Sequence, residues 1–551
     1  MSLRNAASIA RSAAADSPSA EWTCSFAQLG AKGSSPQNLE RDVGRWLGAK
    51  LPIDLDVYTF KAVRVSSGLG VEKYQHACIL PHELFALLSR HGDLHFLDGV
   101  PQSLADFWDM QRGEDWFESH PHLEIVKRDP TRCLPLRLHG DGCKGFEIIS
   151  WMVLSRQFLG RHLFGLFHED SYIDESMYRT LWDILAWSFE ALAQGIYPQC
   201  DHEGKPWHRP EDAARASKGG APLTPDKMRG IYCGTTGDWK WTRYTFGMEQ
   251  HWQAVKKGVC HRCFVDGSAE RHWTILDVLN PGFIMRRLNS DFVLSARPVF
   301  AVAGMHLSTI RVDWLHAGIL GPQQFATGAA LEELCREDLF GKFRQLRGWK
   351  PKMNMQLRVA QSKFKKWVKG RCTTSTWNIG MIGKTKSQTA QACMKVKGRQ
   401  CVYVTQWLHS LLSASAPDDY SPAGNRCKIL GAYARLFEIF SMPKWRMSSG
   451  DLLQIKELGQ QLLLCSNLRA TQAKRAGSSN WRLKPKHHQL LELLHETHAT
   501  ALSPSLWWTF GDEDFVGKVS VIASRCHRRT VSVRALQRWM IRYHVAYGHQ
   551  R

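Results

Sequence analysis

The sequence predicts a mixed α/β protein on three observations. Leu134, Leu136 and Leu138 alternate with Pro135, Arg137 and His139 in LPLRLHGD, the period of two that belongs to a strand. Leu181, Ile184, Leu185, Phe189 and Leu192 recur at helical spacing in MYRTLWDILAWSFEALAQG. MRGIYCGTTGD then returns to strand character. Composition is that of a globular chain: 551 residues, 44% apolar and 22% charged, are enough for two or three domains with sizeable cores.

The elements follow in order. The first 20 residues are rich in Ser and Ala, carry Arg4 and Arg11, and have no acid before Asp16, a composition shared by disordered tails and organelle transit peptides. Residues 1–36 are read as a disordered tail that ends in the linker-like GAKGSSPQN. Residues 37–128 mix short helical and loop signals around DFWDMQRGEDWF and contain no catalytic motif. The strand LPLRLHGD then ends at Asp141, and GFEIISWMVL reads as its partner across a short Gly-containing turn. After the helix, the polar, Gly- and Pro-rich run from Gln199 to Asp226 reads as a loop. The strand that follows delivers Asp238, so both acids stand at strand ends.

Charge narrows the partners. A formal net charge of +21 points to an anionic polymer or an anionic membrane surface. No run approaches the roughly 18 uncharged apolar residues of a membrane span, and the most apolar stretch, PVFAVAGMHLSTI, is bounded by Arg297 and Arg311. No membrane association is therefore expected. From Leu339 to Pro417 there is no Asp or Glu, whereas 16 Lys and Arg alternate with Phe343, Trp349, Phe364, Trp367, Trp377 and Trp407. Cations neutralise phosphates and aromatic rings stack on exposed bases, so nucleic acid is the expected partner. Lys363, Lys365, Lys366, Lys369 and Arg371 of KFKKWVKGR are the candidate contacts. Fifteen cysteines without framework spacing suit a reducing compartment and free thiols.

Four further motifs carry chemistry. Cys260 and Cys263 in CHRC have metal-ligand spacing, yet no second CxxC follows. Asp313 and His316 in DWLH are three apart and would share one helical face. His488 and Glu492 are four apart on a predicted helix and project together. Glu513 precedes Phe515, Val519 and Ile522, which begin an amphipathic helix.

Taken together and in this order, HGDG, GDWKW followed by CxxC, DxxH, KPKxH and WTFGDEDFVG resemble the DDE transposases of the CACTA and Kyakuja-Dileera-Zisupton type. More distantly, they resemble the recombinase that rearranges immune-receptor genes. The resemblance covers about residues 130–545. It implies an RNase H-like catalytic core interrupted by a mostly α-helical insertion. Residues 129–259 would be the first part of the core, 260–480 the insertion with its basic window 339–417, and 481–551 the C-terminal part. It further implies that Asp141, Asp238 and Glu513 are the catalytic acids, holding Mg²⁺ or Mn²⁺ to cut DNA and join strands, with Asp313 the rival second ligand and His316 beside it in support. Structural Zn²⁺ would sit on Cys260, Cys263, His488 and Glu492. Glu492 stands where the family has its second histidine, and His487 and His495 are also in reach. Double-stranded DNA, as transposon ends and target, is the implied partner, with a nuclear location and a homodimer. The alternative is a transposon-derived DNA-binding protein that keeps the fold without the activity. Residues 1–130 carry no finger or helix-turn-helix signature to read terminal repeats.

Overall fold

The computed structural model describes residues 55–548 except 67–69, 93, 95–100, 155–159, 169–174, 208–211, 251–257, 270–271, 277–296, 374, 416, 418 and 528–529. The expected tail, residues 1–36, lies outside the described residues. The chain is mixed α/β, with helix predominating. Strands β1 (Tyr58–Ser66) and β2 (Gly70–Cys78) pair as an antiparallel hairpin. Helix α1 (Pro81–Arg90) follows. The predicted strand forms as β3 (Cys133–Cys143) and runs two residues past Asp141. It turns at Lys144 and Gly145, both left-handed, as a two-residue hairpin requires. Strands β4 (Phe146–Val153), β5 (His162–His168) and β6 (Arg229–Gly237) complete a sheet of order β5-β4-β3-β6. The first three strands form an antiparallel meander, and β6 pairs with β3 in parallel.

A parallel pair needs a long connection, here helix α2 (Glu175–Gln194) and the largely irregular Gln199–Asp226 run. Residues of β3 alternate between two covered faces. Leu136 packs toward Leu192 of α2, while Arg137 on the other face reaches helix α10 (Phe510–Ala523). Helix α10 lies on β3 and β4, and helix α11 (Val531–Gly548) lies on β5 and β2. One core therefore joins the hairpin and α1 to the sheet and to the C-terminal helices, with Phe60, Leu84, Leu138, Ile148, Trp182 and Val519 all buried in it. Trp108 donates its indole N–H to the Cys133 carbonyl at 2.7 Å, so the region without a motif braces the first residue of β3.

From Leu315 to Thr500 the described residues are largely helical. A π-helix (Leu315–Gln323) runs into α4 (Gln324–Arg336), followed by α5 (Trp349–Val368), α6 (Gly398–Leu412), α7 (Pro422–Ser441), α8 (Ser449–Arg475) and α9 (Lys486–Thr500). Their apolar faces form a second core with Trp314, Phe364, Trp377, Trp407, Tyr433 and Leu490.

This core corrects the expectation of base stacking for three of the six rings of the basic window. Phe364, Trp377 and Trp407 are buried against one another, with Phe364 centroids 5.2 Å from Trp377 and 5.6 Å from Trp407. The cause is helical amphipathicity. In α5, Met353, Leu357, Ala360, Phe364 and Val368 face inward at spacings of three and four, which turns Lys363, Lys365 and Lys366 to solvent. Lys384 is also internal, 2.9 Å from buried Glu332. No described helix is long and apolar enough to cross a membrane.

Candidate functional site

Asp141 and Asp238 are brought together by the parallel pair. Gly140 of β3 is in register with Gly237, the last residue of β6, and each acid is the next residue of the chain. The indole of Trp241 lies over both glycines. A Cβ on Gly140 would stand 1.9 Å from Trp241 Cε2, and one on Gly237 2.5 Å from Trp241 Cε3, so only glycine lets this ring cover both strand ends. Asp238 is also the N-cap of α3 (Trp239–Phe246), where its Oδ1 accepts from Trp241 N at 2.6 Å. Asp141 is buried, and its Oδ1 accepts from Gly142 N at 2.7 Å.

Glu513 comes from the first turn of α10, on the face of the sheet that carries Asp141. Burial, and then the neighbouring carboxylates of Glu513 and Asp238, push Asp141 up to about 8. Three acids thus crowd one end of the sheet. Among the described residues they do not form a group as tight as the sulfur-containing cluster below.

The DWLH motif takes a different place from the one expected. Asp313 stands just before the π-helix rather than on it, and five donors fill its two oxygens. Leu315 N and Thr509 N reach Oδ1 at 3.0 Å each, while His316 N at 3.0 Å, His316 Nδ1 at 2.6 Å and Thr509 Oγ1 at 2.6 Å reach Oδ2. Its role is therefore to orient His316. His316 Nε2 lies 3.0 Å from Glu513 Oε1, so the ring bridges two acids. Burial alone would keep this histidine neutral, but the hydrogen bonds to Asp313 and Glu513 outweigh it and raise its pKa to about 10. Burial would likewise raise Glu513, yet the His316 hydrogen bond and charge hold its carboxyl below the ordinary range. Lys486 of the KPK segment caps this turn, donating from Nζ to the carbonyls of His316 at 2.9 Å and Leu320 at 3.2 Å.

One anchor of Glu513 escaped sequence reasoning. The preceding residue, Asp512, is buried between two guanidinium groups: Arg137 Nη2 at 2.6 Å from Oδ2 and Arg161 Nε at 3.0 Å from Oδ1. Arg137 also donates to the Leu506 carbonyl at 3.0 Å. This clamp fixes the start of α10 to β3 two strand positions below His139 and four below Asp141. The only sequence signal was that GDEDF carries two acids besides Glu513, one of them Asp512.

The four sulfur, nitrogen and oxygen ligands named from sequence come together. One ligand atom from each of Cys260, Cys263, His488 and Glu492 lies within 4.8 Å of the others, and all four residues are buried. Cys263 Sγ is 3.2 Å from His488 Nε2, which is 3.4 Å from Glu492 Oε1. The helical i, i+4 spacing in α9 aims His488 and Glu492 at the CHRC turn. His487 points elsewhere, with Nδ1 against the Lys484 backbone. Arg262, inside the turn, pairs with Glu496 at 2.7 Å, and Glu496 pairs with Arg311 at 2.7 Å, tying the cluster to the segment that leads into Asp313. A small cavity of about 30 Å³ adjoins the cluster at Cys260 and Glu492 and reaches Trp239, Asp313, His316 and Lys486.

Lys363, Lys365, Lys366, Lys369 and Arg371 are exposed on α5 and the turn after it. Arg371 lies over Trp367 at 5.2 Å and Tyr403 at 5.8 Å, held by ring contacts rather than by an acid.

No protein-family model, curated protein or solved structure matches the chain.

Proposed function

We propose that this chain is a DNA-cutting and strand-joining enzyme of the DDE transposase class, with Asp141, Asp238 and Glu513 as the acids that hold two Mg²⁺ or Mn²⁺ ions. The observation that carries the reading is the pairing of Gly140 with Gly237, which sets two acids side by side at the ends of parallel strands, with a third delivered from a distant helix. An RNase H-like core is supported by the strand order: a three-stranded meander, then a helix, then a strand parallel to the first. Ile310 extends the pattern with a parallel bridge to Thr235 on the far side of β6. Asp238 is preferred over Asp313 because Asp313 has its oxygens filled by protein donors.

The donor set suits the group. Carboxylates are the ligands Mg²⁺ prefers, and the crowding that pushes Asp141 up to about 8 favours a cation there in place of the proton. When bound, such ions activate the attacking oxygen and stabilise the leaving one in an in-line displacement at phosphorus. The chain's own residues hold the geometry. Asp313 fixes the His316 ring, His316 holds Glu513 by Nε2, and the Asp512 clamp seats the helix that carries Glu513. The cluster of Cys260, Cys263, His488 and Glu492 suits structural Zn²⁺, since thiolate and imidazole donors favour zinc over harder cations. Double-stranded DNA as partner, a homodimer and a nuclear location belong to the same reading.

The test is a nicking and strand-transfer assay with Mg²⁺ or Mn²⁺ on DNA carrying the element's own ends. Asp141→Asn, Asp238→Asn and Glu513→Gln should each lower cleavage at least about a hundredfold, and combining them should cost little more, because groups acting as a unit are non-additive. Wild-type inactivity on correct ends would favour a DNA-binding protein that has lost the chemistry. An active Asp238→Asn beside a dead Asp313→Asn would move the second ligand to DWLH.

A further inference from the structure

The basic window contains cations beyond the α5 face, and three of them flank Gly398, which packs on residues one position before His316 and three before Glu513. Gly398, the first residue of α6, is pressed against two apolar side chains: a Cβ there would lie 2.4 Å from Leu315 Cδ1 and 3.2 Å from Phe510 Cε1. Leu315 adjoins His316, and Phe510 opens the helix that presents Glu513. The residues on either side of this glycine, Lys397 and Arg399, are exposed, as is Lys395. The approach is fixed from behind by α4. Gln324 Nε2 donates to the Val396 carbonyl at 3.0 Å, and Met394 N donates to the Gln324 carbonyl at 2.9 Å.

The same end of α6 is joined to the basic face of α5. Gln400 Nε2 donates to the Thr373 carbonyl, and the Arg371 guanidinium is shared between Trp367 of α5 and Tyr403 of α6. Exposed Lys365, Lys366 and Lys369 lie on the stretch that leads to Arg371, and no acid interrupts the window from Leu339 to Pro417.

We propose that Lys395, Lys397 and Arg399 form the joint of a continuous cationic track, over which a DNA duplex runs from the carboxylates to Arg371 and the lysines of α5. The proposal rests on the reading that the acids cut DNA, and it adds the route by which the substrate reaches them. Duplex DNA carries one negative charge per roughly 1.7 Å of axis, so a row of lysines and arginines matches it phosphate by phosphate. The close seating of Gly398 gives the joint its function: cations at this position set the strand against the acids, whereas those farther along α5 add affinity.

The test compares Lys397→Gln/Arg399→Gln with wild type and with Lys474→Gln/Arg475→Gln, an equal charge change at the exposed C-terminal end of α8. Binding to a 30-base-pair duplex is measured by fluorescence anisotropy in Ca²⁺ over a range of salt, with a thermal melt to verify folding. The joint variant should flatten the log–log salt slope by about 2, since each phosphate that is no longer neutralised removes about 0.9. It should also lower nicking at saturating protein at least about tenfold. The α8 variant should leave both at wild-type values. A wild-type salt slope in the joint variant, or unchanged nicking at saturation, overturns the track. If wild type binds the duplex but never nicks it, the catalytic reading fails while the salt slopes still decide the track. If wild type does not bind duplex DNA, the track fails outright.

Discussion

Replacing Asp512 by Asn tests how Glu513 is held in place. Asp512 is buried, accepts from Arg137 Nη2 at 2.6 Å and Arg161 Nη2 at 3.2 Å, and forms an ion pair with Arg161 Nε at 3.0 Å. The amide keeps the volume but removes the charge, and one of its two ends becomes an N–H donor facing a guanidinium. Breaking a buried ion pair by removing one partner costs about 3–5 kcal/mol. One anion here serves two cations, so the upper half of that range is expected, a large part of the roughly 5–15 kcal/mol that stabilises a folded domain. The pH dependence has a definite sign. Burial would raise the Asp512 carboxyl, but Arg137 and Arg161 outweigh it and hold it well below the ordinary range. A carboxylate depressed in the folded state adds stability that is fully present above its unfolded value near 3.9 and is lost as pH falls through the folded value. The gap between wild type and variant, read from urea unfolding followed by near-ultraviolet circular dichroism, should therefore stay constant from neutral pH down to about pH 4 and close below it. A loss under about 1 kcal/mol, or a gap that vanishes at pH 6, would refute the clamp.

Two further outcomes concern the sulfur-containing cluster. Purified protein should contain about one zinc per chain by metal analysis, and Cys263→Ser should release it and lower the melting temperature, because a structural zinc site contributes folding free energy; metal-free wild type would remove the claim and leave the acids untouched. Glu492→His, which supplies a second imidazole from the same helical position, should retain zinc at least as tightly against a competing chelator, and loss of zinc would mean that the carboxylate reach from α9 is essential.

The parts legible in sequence are those with local pattern. Period-two alternation located β3 and strand character located β6, which put Asp141 and Asp238 at or near their ends, and i, i+4 spacing paired His488 with Glu492. Register could not be read this way. The match of Gly140 to Gly237 depends on a parallel pairing whose partners are far apart in the chain, and on an indole whose packing no spacing rule describes. The Asp512 clamp was hidden for the same reason, since Arg137 lies on β3, Arg161 just before β5 and Asp512 on α10. Asp313 and His316 were correctly linked by their spacing of three, but capping geometry rather than a shared helical face brings them together. In the basic window the sequence located the exposed lysines of α5 and misplaced Phe364, Trp377 and Trp407, because an amphipathic helix interleaves buried aromatics with exposed lysines in the same order as a stacking surface would.

The central claim is that Asp141, Asp238 and Glu513 jointly hold divalent metal against a DNA backbone. The most direct measurement is anomalous X-ray scattering at the manganese edge from crystals of the wild-type protein with Mn²⁺ and a nicked duplex. The account predicts two manganese peaks about 3.5–4 Å apart, ligated by Asp141, Asp238 and Glu513, with Asp313 still bound to His316 and Thr509 and ligating neither. Manganese absent from these three carboxylates, or bound instead by Asp313, would contradict it.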